Sequence, residues 1–201
     1  MRHTETVWNT EERYQGVIDA PLSKEGEREI DTIAASVRPG NFDRVYTSPL
    51  SRAHRLAERV AGQARVPLML DDRLLEIHLG PWQGLTRAEI KVRFPEMFRE
   101  WYQVPDQVHF PGGESLTDVE GRIWNFVEER FSDPTCRRTL AVSHDSVIKV
   151  ALMLALGLDL ARLHAFRLRN GSISVLKGAS PDGSVESLDV TSHLTGSPFA
   201  V

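Results

Sequence analysis

The chain has little cysteine and no long apolar run. Its one cysteine among 201 residues, Cys136, cannot form an internal disulfide and lacks the second sulfur that a zinc site would need. The longest apolar stretch, residues 147–158, is interrupted by Lys149 and Gly157, and the first residues are polar rather than basic and then apolar. We therefore expect a cytoplasmic protein that is neither targeted to a membrane nor spans one.

An excess of positive charge is also lacking. The 24 lysines and arginines are outnumbered by 28 aspartates and glutamates, which gives a formal net charge of −4, and the basic residues are scattered along the chain. No basic run can follow a nucleic-acid backbone, so nucleic acid is not an expected partner. With 41% hydrophobic residues the chain can form one sizeable core, and we predict a single domain over residues 1–201.

Short aliphatic runs alternate with amphipathic segments of helical period along most of the chain. This alternation predicts an α/β fold, a three-layer α/β/α sandwich around a mostly parallel sheet. The predicted strands are 43–47 and 138–142, and a hairpin of 172–176 and 185–190 is predicted around a turn at 181–183. One predicted helix begins at the cap Ser23 and continues through Ala34, and another begins at the cap Ser51 and continues through Val60. Ser115 with Asp118 predicts a capping box at the start of a further helix. Ligand sites of open α/β sheets lie beyond the carboxyl ends of strands, where both predicted strands run into polar residues.

Aromatic residues and prolines are concentrated between Arg93 and Gly113. Three prolines break this segment into short pieces, and its large apolar residues are Phe94, Met97, Phe98, Trp101, Tyr102 and Phe110. We predict a lid of short helices over the site, formed by an insertion around residues 86–115. The alternative is that these side chains pack a subsidiary core.

Hydrogen-bonding residues crowd the segment that begins with Arg2 and His3. An arginine offers a planar fork to phosphate oxygens, and a neutral imidazole beside it can attack phosphorus. Nearby cations disfavour protonation of the ring, which keeps it nucleophilic at neutral pH. An isolated His–Arg pair is more often a solvated surface feature, so this pair alone does not decide the function.

Each of the two predicted strands runs into a residue that suits an anion. Arg52 would lie in the first turn of a helix, where a cation is disfavoured unless an anionic ligand is its partner, although a surface ion pair is the alternative. We interpret His144 as a hydrogen-bond donor to phosphate. The adjacent Ser143, His144 and Asp145 cannot converge as a serine-hydrolase triad, and no histidine and carboxylate cluster has the spacing of metal ligands.

Glu76 is a carboxylate between apolar residues, just before a turn bounded by glycines. Burial among apolar groups near a phosphate dianion raises the pKa of a carboxyl group, which suits a general acid that protonates a leaving alkoxide. The alternative is an ordinary salt-bridge partner.

Together these segments resemble the histidine phosphatase superfamily over nearly the whole chain. The string Arg2-His3-Thr4-Glu5-Thr6, followed by Trp8-Asn9, is similar to the hallmark of that family. Further family motifs follow in order at residues 48–53, 75–84, 111–115 and 143–145. Within the family, the chain looks like the phosphatase branch, which includes broad-specificity and α-ribazole phosphatases.

The resemblance implies a histidine acid-type phosphatase that hydrolyses small phosphorylated metabolites through a phosphohistidine on His3, with no metal and no cofactor. Arg2, Arg52 and His144 would form the phosphate pocket, and Glu76 would donate and recover a proton. The substrate-binding residues would be Asn9, Gln15, Gly16 and Asp145. A cofactor-dependent phosphoglycerate mutase and a phosphate-binding pseudoenzyme are the alternatives, and a homodimer is compatible with the sequence.

The chain departs from the family pattern at three places. Thr4 and Asp145 each replace a glycine, and a side chain there is expected to change the shape of the pocket or to strain the backbone. The family also begins with a hydrophobic strand before Arg-His, whereas here Met1 precedes Arg2. We expect this first strand to be absent, and we predict that a longer natural protein is encoded upstream, with a valine codon read as the start.

Overall fold

The computed structural model describes residues 1–178, 184–195, 197 and 199. Its central sheet contains the parallel strands β1 (Arg44–Thr47), β2 (Leu68–Leu70) and β3 (Thr139–Val142), in the order β2–β1–β3. Val45 of β1 lies opposite Leu68 on one side and Leu140 on the other. The predicted strands 43–47 and 138–142 are confirmed, each one residue shorter than expected.

The helices are α1 (Val7–Thr10), α2 (Lys24–Ser36), α3 (Ser51–Ala64), α4 (Arg87–Arg93), α5 (Pro95–Gln103), α6 (Leu116–Phe131) and α7 (Asp145–Leu156). Ser23 caps α2, and Ser115 forms a capping box with Asp118 at the start of α6, both as predicted. The predicted cap at Ser51 is wrong, because Ser51 is the first residue of α3. Its backbone N–H donates instead to the Asp19 carboxylate at 2.9 Å, so a distant side chain caps this helix.

Successive residues of the central strands face two separate cores. Val45 and Leu140 pack with residues of α2 and α3, such as Ile33 and Leu56. Tyr46 faces the opposite core, which includes residues of α6 and α7. The period of two in each strand therefore places one helical layer on each face of the sheet, and the three-layer α/β/α architecture is confirmed.

Residues 1–3 lie beside β3 at the carboxyl edge of the sheet. Arg2 pairs with Ser143 in a parallel bridge, and the His3 N–H donates to the Ser143 carbonyl at 3.0 Å. On the other side, the Arg2 N–H donates to the carbonyl of Ser172 at 3.0 Å. These bonds fix His3 next to the ends of β1 and β3. The expectation that the first strand of the family fold is absent stays a prediction.

The C-terminal part contains the predicted hairpin, with β4 (Ile173–Lys177) antiparallel to β5 (Ser184–Val190). The predicted turn at 181–183 lies outside the described residues. In the part of the chain that is described, no helix is both long enough and apolar enough to span a membrane.

The segment 86–115, which was predicted to be a lid, contains α4, α5 and a 3₁₀ turn at Pro105–Gln107. Trp101 and Phe110 are buried against Trp82, with ring centroids 5.1–6.4 Å apart in these pairs. This segment therefore packs its own part of the core, and it also contributes walls to the cavity described below. The packing of a subsidiary core is therefore observed, whereas a lid over the site stays a prediction.

Substitution of Gly26 tests how closely the N-terminal segment packs against α2. A Cβ at Gly26, in the first turn of α2, would lie 1.9 Å from the Glu5 carbonyl oxygen, whereas a Cβ at Gly121 in α6 would meet nothing within 4 Å. We expect Gly121→Ala to raise the free energy of unfolding by about 0.5–1 kcal/mol. Gly26→Ala should lower it by about 1–3 kcal/mol, since backbone must move. Urea unfolding measures both, and equal shifts of the same sign would contradict this account.

Candidate active site

A cavity of about 690 Å³ opens at the carboxyl edge of the sheet. Eight of the nine predicted site residues line it, and His144 is the exception. The lining residues are Arg2, His3, Asn9, Glu12, Arg13, Tyr14, Gln15, Gly16, Arg52, Glu76, Leu79, Arg87, Trp101, Tyr102, Asp145, Ser146, Lys149, Leu163, His164, Phe166 and Arg167.

His3 is nearly fully buried, at 3% exposure, and its ring is oriented by the backbone. Nδ1 lies 2.7 Å from the carbonyl oxygen of Thr4, which can only accept, so Nδ1 carries the proton. The lone pair is then on Nε2. Burial, and next the charges of Arg52 and Arg2, hold the pKa of His3 well below its usual value. His3 is therefore a neutral imidazole whose Nε2 can act as a nucleophile.

Two guanidinium groups lie beside His3. Arg52 is fully buried and donates to the carbonyls of Gly16 at 2.7 Å and Ile18 at 2.8 Å. Arg2 donates to the carbonyl of Leu168. Among the described residues, the buried Nε of each arginine has no hydrogen-bond partner. Burial lowers the pKa of Arg52 to about 10, so the group keeps its charge at neutral pH.

His144 lies next to His3 and is not among the residues that line the cavity. Its ring is fully buried, with a centroid 5.2 Å from that of His3, and its Nε2 is 2.8 Å from the Ser48 hydroxyl. Nδ1 has no partner among the described residues. Burial, followed by the charge of Arg52, keeps the pKa of His144 well below its usual value. The ring is therefore neutral, and the role of His144 as a hydrogen-bond donor to phosphate stays a prediction.

Glu76 lines the cavity with 9% of its surface exposed. Burial is the main cause that raises the pKa of this carboxyl, and the charge of Asp145 raises it further. The Ile77 N–H donates to Oε1 at 2.9 Å, and this bond with the nearby Arg52 opposes part of the rise. A carboxyl in this environment holds its proton to a higher pH than a solvated one, as a general acid requires.

The predicted substrate-binding residues of the N-terminal segment have different surroundings. The Asn9 Oδ1 accepts from both the N–H and the hydroxyl of Thr6, because Asn9 belongs to the capping box of α1. The Oε1 of Gln15 is buried without a partner among the described residues. Gly16 has φ +54, and a Cβ there would lie 2.2 Å from the Gln83 Oε1. Glycine is therefore required where the backbone turns to present its carbonyl to Arg52.

Asp145 brings a carboxylate into the cavity where the family has glycine. Its Oδ1 lies 3.3 Å from Arg2, and its Oδ2 lies 2.8 Å from the ammonium group of Lys149. Neither Thr4 nor Asp145 is among the described residues with positive φ, so the expected backbone strain is absent. The effect of Asp145 is electrostatic: it neutralises part of the charge of Arg2.

The structure adds residues that sequence reasoning missed. Lys149 could have been found, because it stands four residues after Asp145 on α7 and so shares its face. The Asn170 side chain donates to the His3 carbonyl at 3.1 Å and helps to position the nucleophile. Other cavity residues that were missed include Arg87, His164 and Arg167. None of these three lies in a recognisable motif.

Metal ligands were not expected, and in the described ranges no group of three or more histidine, cysteine, aspartate or glutamate side chains could hold a metal ion. The positive charges that face the cavity are those of arginine and lysine side chains. Preorganised guanidinium groups can stabilise the charge of a transferring phosphoryl group.

Comparison with known proteins assigns the family. The family model of the histidine phosphatase superfamily (branch 1) matches residues 1–191. Phosphoserine phosphatase 1 of Hydrogenobacter thermophilus is 33% identical over 194 residues, which cover 96% of this chain and 92% of that protein.

Solved structures agree with this result. YhfR of Bacillus stearothermophilus superimposes with a TM-score of 0.87 at 29% identity, over 96% of each chain. The α-ribazole phosphatase of Shigella flexneri gives a TM-score of 0.82 at 22% identity over 94% of each chain, which shows the fold alone. The chain belongs to the histidine phosphatase superfamily, as the sequence motifs indicated.

Proposed function

We propose that the protein is a phosphomonoesterase that hydrolyses small phosphorylated metabolites through a phosphohistidine on His3. The observation that carries this proposal is the orientation of His3, which lines the cavity with Arg2 and Arg52 and whose Nδ1 bonds to the Thr4 carbonyl, so that the lone pair is on Nε2. The Nε–H groups of these arginines are buried donors without acceptors among the described residues. A buried donor without an acceptor is costly, and phosphate oxygens would supply acceptors for both.

In the first step, Nε2 of His3 attacks phosphorus and the bond from phosphorus to the ester oxygen breaks. Glu76 gives its proton to that oxygen, so the product leaves as a neutral alcohol and Glu76 becomes a carboxylate. In the second step, a water molecule attacks the phosphorus of phosphohistidine and gives a proton to Glu76. The N–P bond breaks, inorganic phosphate is released, and both residues return to their initial states.

Hydrolysis of p-nitrophenyl phosphate in the presence of EDTA tests this proposal. We expect turnover that EDTA does not affect, together with a phosphoenzyme that survives alkaline denaturation and is lost in acid, as expected for phosphohistidine. Stimulation by a bisphosphorylated primer would favour the mutase. A protein that binds phosphate but neither turns over nor becomes phosphorylated would be the pseudoenzyme, and the proposal would be wrong.

The narrower expectations stay predictions. They are the histidine acid-type description, the cytoplasmic location, the absence of a cofactor and the homodimer. The phosphatase activity proposed here depends on none of them, because every group in the two steps belongs to one chain.

Asp145→Asn tests how the carboxylate in the cavity affects phosphate binding. The change removes a negative charge 3.3 Å from Arg2 while keeping the size of the side chain. We expect inorganic phosphate to inhibit the variant about three to ten times more strongly, because Arg2 and Lys149 no longer share a carboxylate. Inhibition constants measure this, with the exposed Asp72→Asn as control. Weaker inhibition would instead mean that Asp145 serves mainly to position Arg2.

A further inference from the structure

We infer that the preferred substrates carry a second anionic group, a carboxylate or another phosphate, and that Arg87 and Arg167 bind it. The inference rests on the proposed function, because it concerns the leaving-group side of the same cavity. It adds a substrate class to the proposed reaction.

The cavity is larger than a phosphoryl group requires. Its volume of about 690 Å³ is within the range that holds a whole small molecule. Its remaining walls come from the lid, through Arg87, Trp101 and Tyr102, and from the segment after α7, through His164 and Arg167. A leaving group attached to the phosphate would contact these walls.

The cationic side chains of the cavity fall into two groups. Arg2, Arg13, Arg52 and Lys149 each have a carboxylate oxygen within 4.0 Å. Across the residues that the structure describes, no such oxygen lies within that distance of Arg87 or Arg167. The protein as a whole has a net charge of −4, so two guanidinium groups without carboxylates in one cavity leave local positive charge for a ligand to neutralise.

The carboxylates of the cavity do not offset this charge. Asp145 is shared by Lys149 and Arg2. Burial raises the pKa of the Glu76 carboxyl, which favours its neutral form. Glu12 is exposed, as Arg87 and Arg167 are, and its carboxylate oxygens are not within 4.0 Å of either guanidinium group.

Arg87 is also held in place before any ligand binds. Its guanidinium carbon lies 5.0 Å from the centre of the Tyr102 ring and 5.7 Å from that of Phe98. The Tyr102 ring stacks on His164 with centroids 4.7 Å apart, and its hydroxyl lies 2.6 Å from that of Tyr14. A guanidinium stacked on an aromatic ring keeps the N–H groups at its edge free for a carboxylate or phosphate.

A substrate with phosphate at one end and an acid at the other would therefore bind both sets of cations. A phosphate ester of a neutral alcohol would bind only Arg2 and Arg52. The structure predicts discrimination between such substrates by charge rather than by size.

Matched substrates test the inference. 3-Phosphoglycerate and glycerol 3-phosphate differ by a carboxylate in place of a hydroxymethyl group, and fructose 1,6-bisphosphate and fructose 6-phosphate differ by a second phosphate. We expect kcat/KM to favour the acidic member of at least one pair by about tenfold or more. The ratio should fall toward one in Arg87→Gln and in Arg167→Gln. Arg99→Gln, on an exposed position of α5 outside the cavity lining, should leave the ratio unchanged. The two pairs show whether carboxylate or phosphate is preferred.

Failure of this inference is separable from failure of the proposed function. Equal kcat/KM within both pairs, or a ratio that neither arginine variant changes, would overturn the inference while phosphatase activity stands. If no ester is hydrolysed, the second anionic site is tested by binding instead. Calorimetry then compares the affinities of 3-phosphoglycerate and glycerol 3-phosphate for the unmodified protein and for the same variants. Equal affinities would then refute the second anionic site.

Discussion

His3→Ala is expected to lower kcat for p-nitrophenyl phosphate by on the order of 10⁴-fold or more, to the background level. The substitution removes the group that is proposed to accept the phosphoryl group, whereas the two guanidinium groups remain. Phosphate binding should therefore change much less than turnover, and the phosphoenzyme should disappear. Initial rates, inhibition by inorganic phosphate and alkaline trapping of the labelled protein measure these effects.

Two controls keep this result interpretable. His54→Ala removes a histidine of α3 that lies outside the cavity lining and should not alter the rate. Thermal unfolding of His3→Ala shows whether the loss of a buried ring has unfolded the protein. If the variant is folded, the lower rate is due to the loss of the nucleophile. A folded His3→Ala protein that still turns over, or that still forms an acid-labile phosphoenzyme, would mean that another residue is the nucleophile.

The residues that follow strands were predictable because their chemistry is local. Arg52 and His144 stand within a few residues of the ends of β1 and β3, and parallel strands bring their carboxyl ends to one edge. The order of the family motifs added the identity of the nucleophile.

Other features depended on contacts that no local pattern reveals. Asp19 caps α3 from 32 residues away, so the residue type at Ser51 predicted the wrong cap. The full burial of His144 next to His3 follows from packing, since its polar sequence neighbours would suit an exposed position in the cavity equally well. The sequence suggested that Asp145 could strain the backbone. In the structure its carboxylate forms ion pairs with Arg2 and Lys149 instead.

The wall formed by Arg87 and Arg167 was the hardest part to predict. These residues come from the lid and from the segment after α7, which meet only in the folded chain. Neither arginine lies in a motif, because binding a leaving group requires only charge and shape. Specificity residues are therefore less visible in a single sequence than residues that carry out the chemistry.

Glu76→Gln is the second change with a large expected effect, and the effect should depend on the leaving group. An alkoxide needs a proton as it leaves, so we expect kcat for an alkyl phosphate to fall by about 10²–10⁴-fold. Nitrophenolate is stable as an anion, so the loss with p-nitrophenyl phosphate should be about tenfold or less. Glutamine keeps the size and the acceptor oxygen that bonds the Ile77 N–H.

The pH profile gives a further readout on Glu76. Its carboxyl is active when protonated, and burial with the charge of Asp145 raises its pKa, so activity should fall as pH rises through that raised value. The opposite limb belongs to His3, whose lowered pKa keeps the ring unprotonated under mildly acidic conditions. In Glu76→Gln the high-pH decline should vanish while the low-pH limb remains. Equal losses for alkyl and nitrophenyl esters, with both limbs preserved, would assign the proton transfer to another group.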